Sequence, residues 1–441
     1  MQHSPKPSQF ALLRQRRFAP FFWTQFSGAF NDNVFKFAFT VMVTYQLSVD
    51  WLPPAMAGLV IGALFILPYV LFSATSGQLA DHWEKSRLMR LVKNLEIAIM
   101  LLAAYGFWAG NAGVLLACTF FMGCHSTLFG PVKFAYMPQV LGEHELVGGN
   151  GMVEMGTFVA ILLGNMLGGL LVSIPEVGHT TVAVACVLFA ALGRWAAGRV
   201  PHTPATGPAL QMNWNPFTET VRNMRLAAQD PVVFRSLLAI SWMWFFGAVF
   251  LSQFPSFAKE VLHGDERVAS LLLVLFSVGV GIGALMCEGL SRQKVEIGLV
   301  PLGAIGMSLF AGDLYFASRA LPASELMGLQ DFLAISAHWR VMADLVLLSL
   351  FTGLYSVPMY ALIQQRSAAS HRARIIAANN ILNALFMIAS SLLAGALLSA
   401  GATVPEIFLL TAITNAVFSA YVFARVPAYW HGFAGLLRPR G

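Results

Sequence analysis

Four polar side chains, Asn31, Asp32, Asn33 and Lys36, fall within one short run of an otherwise apolar stretch, Gln25-Phe26-Ser27-Gly28-Ala29-Phe30 before them and Val34-Phe35 between. A charge at the centre of a bilayer costs about 2.5–3.5 kcal/mol on insertion scales. Asp32 and Lys36 are four residues apart, so on a helix they share a face and offset part of that cost. Two readings follow: a site for a charged headgroup, or an ion pair that fixes helix packing. Lys133, in Gly130-Pro131-Val132-Lys133-Phe134, and Glu154, one turn after Asn150, add a second base and a second acid. Two acids and two bases suit a zwitterion or an anion better than a bare sugar. Lys93 and Glu96 form a further candidate pair, with Lys93 placed near a helix end where it can snorkel to the interface. The second part of the chain offers mainly amides, Gln253, Asn379, Asn380 and Asn383, beside Asp313 and Asp344, which fall near helix ends or near Arg340. A set charged on one side and apolar with amides on the other suits an amphiphile.

The elements that hold these residues must be membrane helices. Of 441 residues, 57% are hydrophobic and 11% charged, against roughly 25% charged in soluble chains. Mean hydropathy is +0.68. A spanning helix needs about 20 mostly apolar residues. Such stretches fall at 18–48, 55–80, 87–109, 112–141, 147–173, 179–200, 233–260, 268–290, 295–318, 339–365, 373–400 and 404–425. The Gly-rich segments leave eleven or thirteen as alternative counts. The first stretch is too long for the apolar core of a cleavable signal peptide. Cys118, Cys124, Cys186 and Cys287 all lie in apolar segments without ligand spacing, so neither a disulfide framework nor a metal site is expected. No motif calls for a cofactor.

The net charge of +6 fits the positive-inside rule better than nucleic-acid binding. With a cytoplasmic N-terminus, four of the 27 Lys and Arg (Lys259, Arg267, Arg319, Arg340) face outward and three (Lys36, Lys93, Lys133) lie within spans. The remaining twenty face the cytoplasm. That split predicts an all-α membrane protein with both termini cytoplasmic: a six-helix half over 1–200, a linker over 201–232 and a second half over 233–441. The linker opens Pro201-His202-Thr203-Pro204 and then offers Asn215 as a helix cap and Pro216 as the first helical residue. Phe217, Val221 and Met224 share a face beside Arg222 and Arg225, which predicts a short amphipathic helix on the membrane surface. The halves resemble each other: Val147-Gly148-Gly149-Asn150-Gly151-Met152-Val153-Glu154 matches Ile376-Ala377-Ala378-Asn379-Asn380-Ile381-Leu382-Asn383 at a constant offset. A parallel repeat of two six-helix halves predicts such a match.

Between the second and third spans the chain reads Gly77-Gln78-Leu79-Ala80-Asp81-His82-Trp83-Glu84-Lys85-Ser86-Arg87. This resembles the corresponding loop of the major facilitator superfamily, with Glu84 where that family usually has glycine. Gly77 permits close helix approach. Asp81 can accept hydrogen bonds at a neighbouring helix N-terminus and pair with a base, making a latch with Lys85 and Arg87. Glu288 and Arg292 occupy the equivalent loop of the second half.

Gly28-Ala29-Phe30-Asn31-Asp32-Asn33-Val34-Phe35-Lys36, the segment around Lys133, Gly149-Asn150-Gly151-Met152-Val153-Glu154 and the segment from Ser370 to Asn383 together resemble the bacterial lysophospholipid transporter family. The resemblance extends over the whole chain. It is nearest to the branch in which the transporter is fused to an acyltransferase and an acyl-carrier-protein synthetase. It implies a twelve-helix flippase of the inner membrane that moves lysophosphatidylethanolamine and related lysolipids from outer to inner leaflet by alternating access with lateral opening. It also implies a functional link to cytoplasmic re-acylation, and membrane lipids as the surrounding partners. Asp32 and Lys133 are the implied headgroup contacts, with Asn31, Asn33, Lys36, Asn150, Glu154, Gln253, Asn379 and Asn383 as further candidates. Gln253 falls where some relatives carry arginine, which leaves the phosphate to Lys36 or Lys133. The rival reading is a proton-coupled drug or metabolite exporter with Asp32 or Glu154 as proton carrier. A membrane-embedded acyltransferase is disfavoured, because His144-Glu145 and His371-Arg372 lie in loops without a catalytic constellation; no catalytic residue is expected.

Overall fold

The computed structural model describes residues 8–47, 49–52, 54–319, 321 and 325–437. Lys6, Arg438 and Arg440, counted above with the cytoplasmic charges, lie outside them. The described chain is helical: α1 (Ala19–Val41), α2 (Pro54–His82), α3 (Lys85–Trp108), α4 (Ala112–Val140), α5 (Leu146–Val172), α6 (Gly178–Ala197), α7 (Pro216–Ala228), α8 (Pro231–Ser256), α9 (Glu266–Ser291), α10 (Leu299–Arg319), α11 (Leu329–Ala334), α12 (Ser336–Arg366), α13 (Arg372–Ser399), α14 (Val404–Arg425) and α15 (Ala428–Leu437). Eleven of them are long and apolar enough to cross a bilayer. The twelfth long helix, α1, has 23 residues, about 35 Å at 1.5 Å per residue. Its polar run keeps it outside the apolar set.

Side-chain caps set several boundaries. Asn111 accepts from the Val114 N–H at 3.1 Å at the start of α4. Asp265 accepts from Arg267 and Val268 N–H at the start of α9. Thr403 and Glu406 form a reciprocal capping box on α14. Each such cap satisfies N–H groups that the first helical turn leaves without partners. Arg292 ends α9 in the left-handed region, at φ +53°.

The chain divides into two compact units. The first comprises Met1–Gly142, Val159–Asp230 and Gln364–Ala384; the second comprises Glu143–Phe158, Pro231–Ile363 and Leu385–Gly441. In the first, α2 packs on α4, α3 on α4 and α6, and α1 on α6. Phe35, Phe39, Met100, Phe107 and Leu115 fill its core. The later part of α5 crosses α1 at glycine: a Cβ on Gly164 would lie 2.6 Å from the Phe30 carbonyl oxygen, so only glycine allows this approach of backbones. In the second unit α10 packs on α14, and α8 on α9 and α14, around stacked Phe250 and Phe408.

The amphipathic helix of the linker is α7. Asn215 caps it by accepting from the Phe217 and Thr218 N–H groups at 3.0 and 3.2 Å. It buries Glu219, Asn223 and Ala227 and packs on α2. Phe217 and Val221 are exposed, as are Arg222 and Arg225. The buried stripe is therefore the polar and small one; Phe217 and Val221 point away from the protein, while Met224 is half-buried.

Candidate functional site

The polar run of α1 sits in the first unit, where three helices converge on it. Asp32 is 7% exposed. Its Oδ2 accepts the Ser126 hydroxyl of α4 at 2.7 Å, while Oδ1 has no hydrogen-bond partner. Tyr69 of α2 lies beside Ser126 and Asp32. Lys36 does not meet Asp32 as a direct ion pair. Its ammonium lies over the Phe65 ring of α2, 3.8 Å from the centroid, an arrangement that favours a cation. Lys36 still acts on the Asp32 charge. Asp32 therefore keeps an open acceptor and Lys36 keeps ammonium protons not committed to a carboxylate, one turn apart on one face.

Asn31 faces elsewhere. Its amide donates to Glu96 at 2.8 Å, and Glu96 also takes the Lys93 ammonium at 2.5 Å and lies 3.2 Å from His125 Nε2. Lys93 and Glu96 are 1% and 0% exposed in their side chains, so Lys93 does not snorkel. It is held in the core, and glycines make room for it: a Cβ on Gly28 of α1 or Gly193 of α6 would lie 2.9 Å from the ammonium nitrogen. His125 and Ser126 escaped the sequence reading because neither stands in a charged run. Their neighbours come from other helices.

The other candidates are distributed. Asn33 turns back to the Ala29 carbonyl at 2.7 Å. Lys133 lies two turns beyond Ser126 on α4, about 10 Å along the axis, its ammonium 4.7 Å from the Phe134 ring centroid. Asn379 is buried in the first unit, with neither amide atom hydrogen-bonded. Asn383 lies four residues further along the same helix and is half-buried. Asn150, Glu154 and Gln253 belong to the second unit and are buried. There Asn150 donates to the Leu146 carbonyl, Glu154 acts electrostatically on Cys287 of α9, and Gln253 donates to Ser252 at 3.3 Å.

The loop after α2 makes a fastening within the first unit. Asp81 accepts from the Ala373 N–H at 3.1 Å, the Arg374 N–H at 3.3 Å and Arg374 Nε at 3.2 Å. It thus caps the first turn of α13 and neutralises a buried arginine. Gly77 lies beneath: a Cβ there would come within 2.7 Å of Ala377 Cβ. Lys85 reaches the Thr206 hydroxyl at 3.3 Å, and Arg87 is exposed. Glu84 caps α3 through the Ser86 and Arg87 N–H groups and takes the Thr203 N–H at 2.9 Å. Burial alone would raise its carboxyl, but these N–H groups hold it below the ordinary glutamate value. Its acceptor oxygens tie the linker down, a role that glycine at this position would not perform. Gln78 exchanges two 2.8 Å hydrogen bonds with Asn213. In the second unit Arg292 is exposed, and Glu288 accepts from Gln293 twice, at its carbonyl from the N–H and at its carboxylate from the side-chain amide at 3.4 Å.

Asp81→Ala is expected to loosen the start of α13 from α2. Breaking a buried ion pair by removing one partner costs about 3–5 kcal/mol. With part-exposed Cys124 replaced by Ala, aqueous maleimide labelling of Ala377→Cys should rise in the Asp81→Ala background, since Cys118, Cys186 and Cys287 are buried. Unchanged labelling would show that the cap does not hold the contact.

Comparison with known proteins agrees with this architecture. The lysophospholipid transporter LplT of Serratia proteamaculans is 27% identical over 350 residues, covering 78% of this chain and 79% of that protein. The lysophospholipid transporter LplT of Yersinia enterocolitica is 28% identical over 352 residues, 78% of each chain. The fold is similar to that of the E. coli fucose:proton symporter FucP, with a TM-score of 0.70 at 13% identity over 92% of this chain and 98% of that one. Residues 21–329 match the Major Facilitator Superfamily. Twelve long helices, the capped loop after α2 and a match over most of its length make one conclusion: the chain belongs to the major facilitator superfamily.

Proposed function

We propose that the protein is a lysophospholipid transporter that moves lysophosphatidylethanolamine and related lysolipids from the outer to the inner leaflet of a bacterial inner membrane by alternating access. The reading rests on one observation above others: Asp32 holds a buried carboxylate oxygen without a hydrogen-bond partner, one turn from the ring-held ammonium of Lys36. An ammonium head matches the first and a phosphate the second. The distant kinship to lysophospholipid transporters supports it. The lysolipid's single acyl chain stays in lipid, because pulling it into water would forfeit about 0.8 kcal/mol per CH₂; a lateral opening follows. The Asp81–Arg374 cap serves as the cytoplasmic latch. Cytoplasmic re-acylation consumes the product.

The test is uptake of labelled lysophosphatidylethanolamine into proteoliposomes, with and without imposed proton and sodium gradients. Expected is protein-dependent movement of lysolipid with little movement of diacyl lipid. Uptake no faster than in empty vesicles under every gradient would overturn the reading. A strict need for a pH gradient, with small cationic compounds as the better substrates, would favour a proton-coupled exporter.

A further inference from the structure

α7 is amphipathic the wrong way round for water. A helix on a soluble surface turns its apolar stripe to the core and its polar face to solvent. In α7, Glu219 and Asn223 are fully buried on the side that packs on α2. Phe217 and Val221, four residues apart and so on one face, are 75% and 49% exposed. Arg222 and Arg225 stand in the adjoining stripe, three residues apart, and are exposed. Glu219 is the one acid of the helix; Arg222 lies 3.7 Å from it with half of its own side chain exposed. The outward surface is therefore apolar with a basic border and no acid.

The place of α7 along the spanning helices matches that surface. Gln78, four residues before α2 ends, exchanges hydrogen bonds with Asn213. Only Gln229 and Asp230 separate α7 from the spanning helix α8 in the chain. Trp83, just past α2, and Trp214, just before the cap of α7, are exposed, and tryptophan concentrates at the boundary of water and lipid. Thirteen residues make about 20 Å of helix, too short to span a bilayer. A helix of this composition lies along the boundary, its apolar side about 5–10 Å into the headgroup region and its basic side drawing anionic lipid.

We infer that α7 is a docking helix for anionic lipid: Trp214, Phe217 and Val221 enter the leaflet on the side where α2 ends, and Arg222 and Arg225 take lipid phosphates. The inference does not depend on which substrate the protein moves. The spanning helices that adjoin α7 favour lipid over a protein partner on this face.

The experiment uses the full chain with Cys124→Ala, since Cys118, Cys186 and Cys287 are buried, and with Phe217→Cys carrying a fluorescent label. Phe217 is exposed, so the label displaces no packed side chain. The protein is reconstituted into phosphatidylcholine vesicles with or without phosphatidylglycerol. Lipids brominated high in the acyl chain are expected to quench the label, and aqueous acrylamide to quench it several-fold less than the free dye. Phosphatidylglycerol is expected to strengthen the lipid quenching about twofold. With Arg222→Gln and Arg225→Gln together, that strengthening is expected to vanish while quenching in phosphatidylcholine remains. Acrylamide quenching as strong as for the free dye, in both lipids, puts the face in water and overturns the inference in favour of a protein partner. Lipid quenching that ignores phosphatidylglycerol, or a phosphatidylglycerol effect that survives loss of both arginines, overturns the anionic assignment.

Discussion

Asp32→Ala should cut movement of lysophosphatidylethanolamine in proteoliposomes by about 10- to 100-fold, while the protein still inserts and purifies as a folded species. The substitution removes the carboxylate that the incoming ammonium would meet. A hydrogen bond to a charged group contributes about 1.5–3 kcal/mol. Each 1.4 kcal/mol is a factor of ten, which sets that range. Folding should survive, because Asp32 makes one protein hydrogen bond, to Ser126, and its other oxygen has none. Asp32→Asn preserves shape and an acceptor for Ser126 but not the charge, and should fail in the same way. A near-normal rate for either variant would sink the headgroup assignment.

Glu96→Gln should cause a large loss of stability in the first unit. Glu96 takes the Lys93 ammonium, the Asn31 amide and an approach from His125. Glutamine retains a similar shape and an acceptor for Asn31 but leaves the Lys93 charge in the core, walled by Gly28 and Gly193. The expected cost is about 3–5 kcal/mol, read as a lower thermal unfolding midpoint in detergent. Replacing both partners together, Lys93→Met with Glu96→Met, removes the uncompensated charge and should recover most of that loss. If the double variant is as unstable as the single one, the pair is not what holds these helices.

Much of this was legible in the residues themselves, for local reasons. Hydropathy over about 20 residues reports a span regardless of its neighbours. Polar groups within one helical turn, as in Asn31 to Lys36, announce themselves because the bilayer penalises them. Asn215 and Pro216 mark a helix start by chemistry confined to that turn. Asp81 is different: only the resemblance of its loop to a family signature marks it as a cap, because the turn it caps lies 292 residues along the chain.

What the sequence could not decide is which helices meet. The four-residue spacing of Asp32 and Lys36 made them one pair, yet Asp32 turns to Ser126 on α4 and Lys36 to Phe65 on α2. Lys93 looked free to snorkel, but α1 and α6 close over it with glycines placed to admit its ammonium. His125 stands alone in the sequence and between two acids in space. The residues that face α7 inward are Glu219, Asn223 and Ala227, because α2 meets that side. The sequence determined the spans, their polar contents and the ends of individual helices, since each depends on neighbours within a turn or two. Only the tertiary structure decided the partners, because a buried charge takes its counter-charge from whichever helix packs beside it.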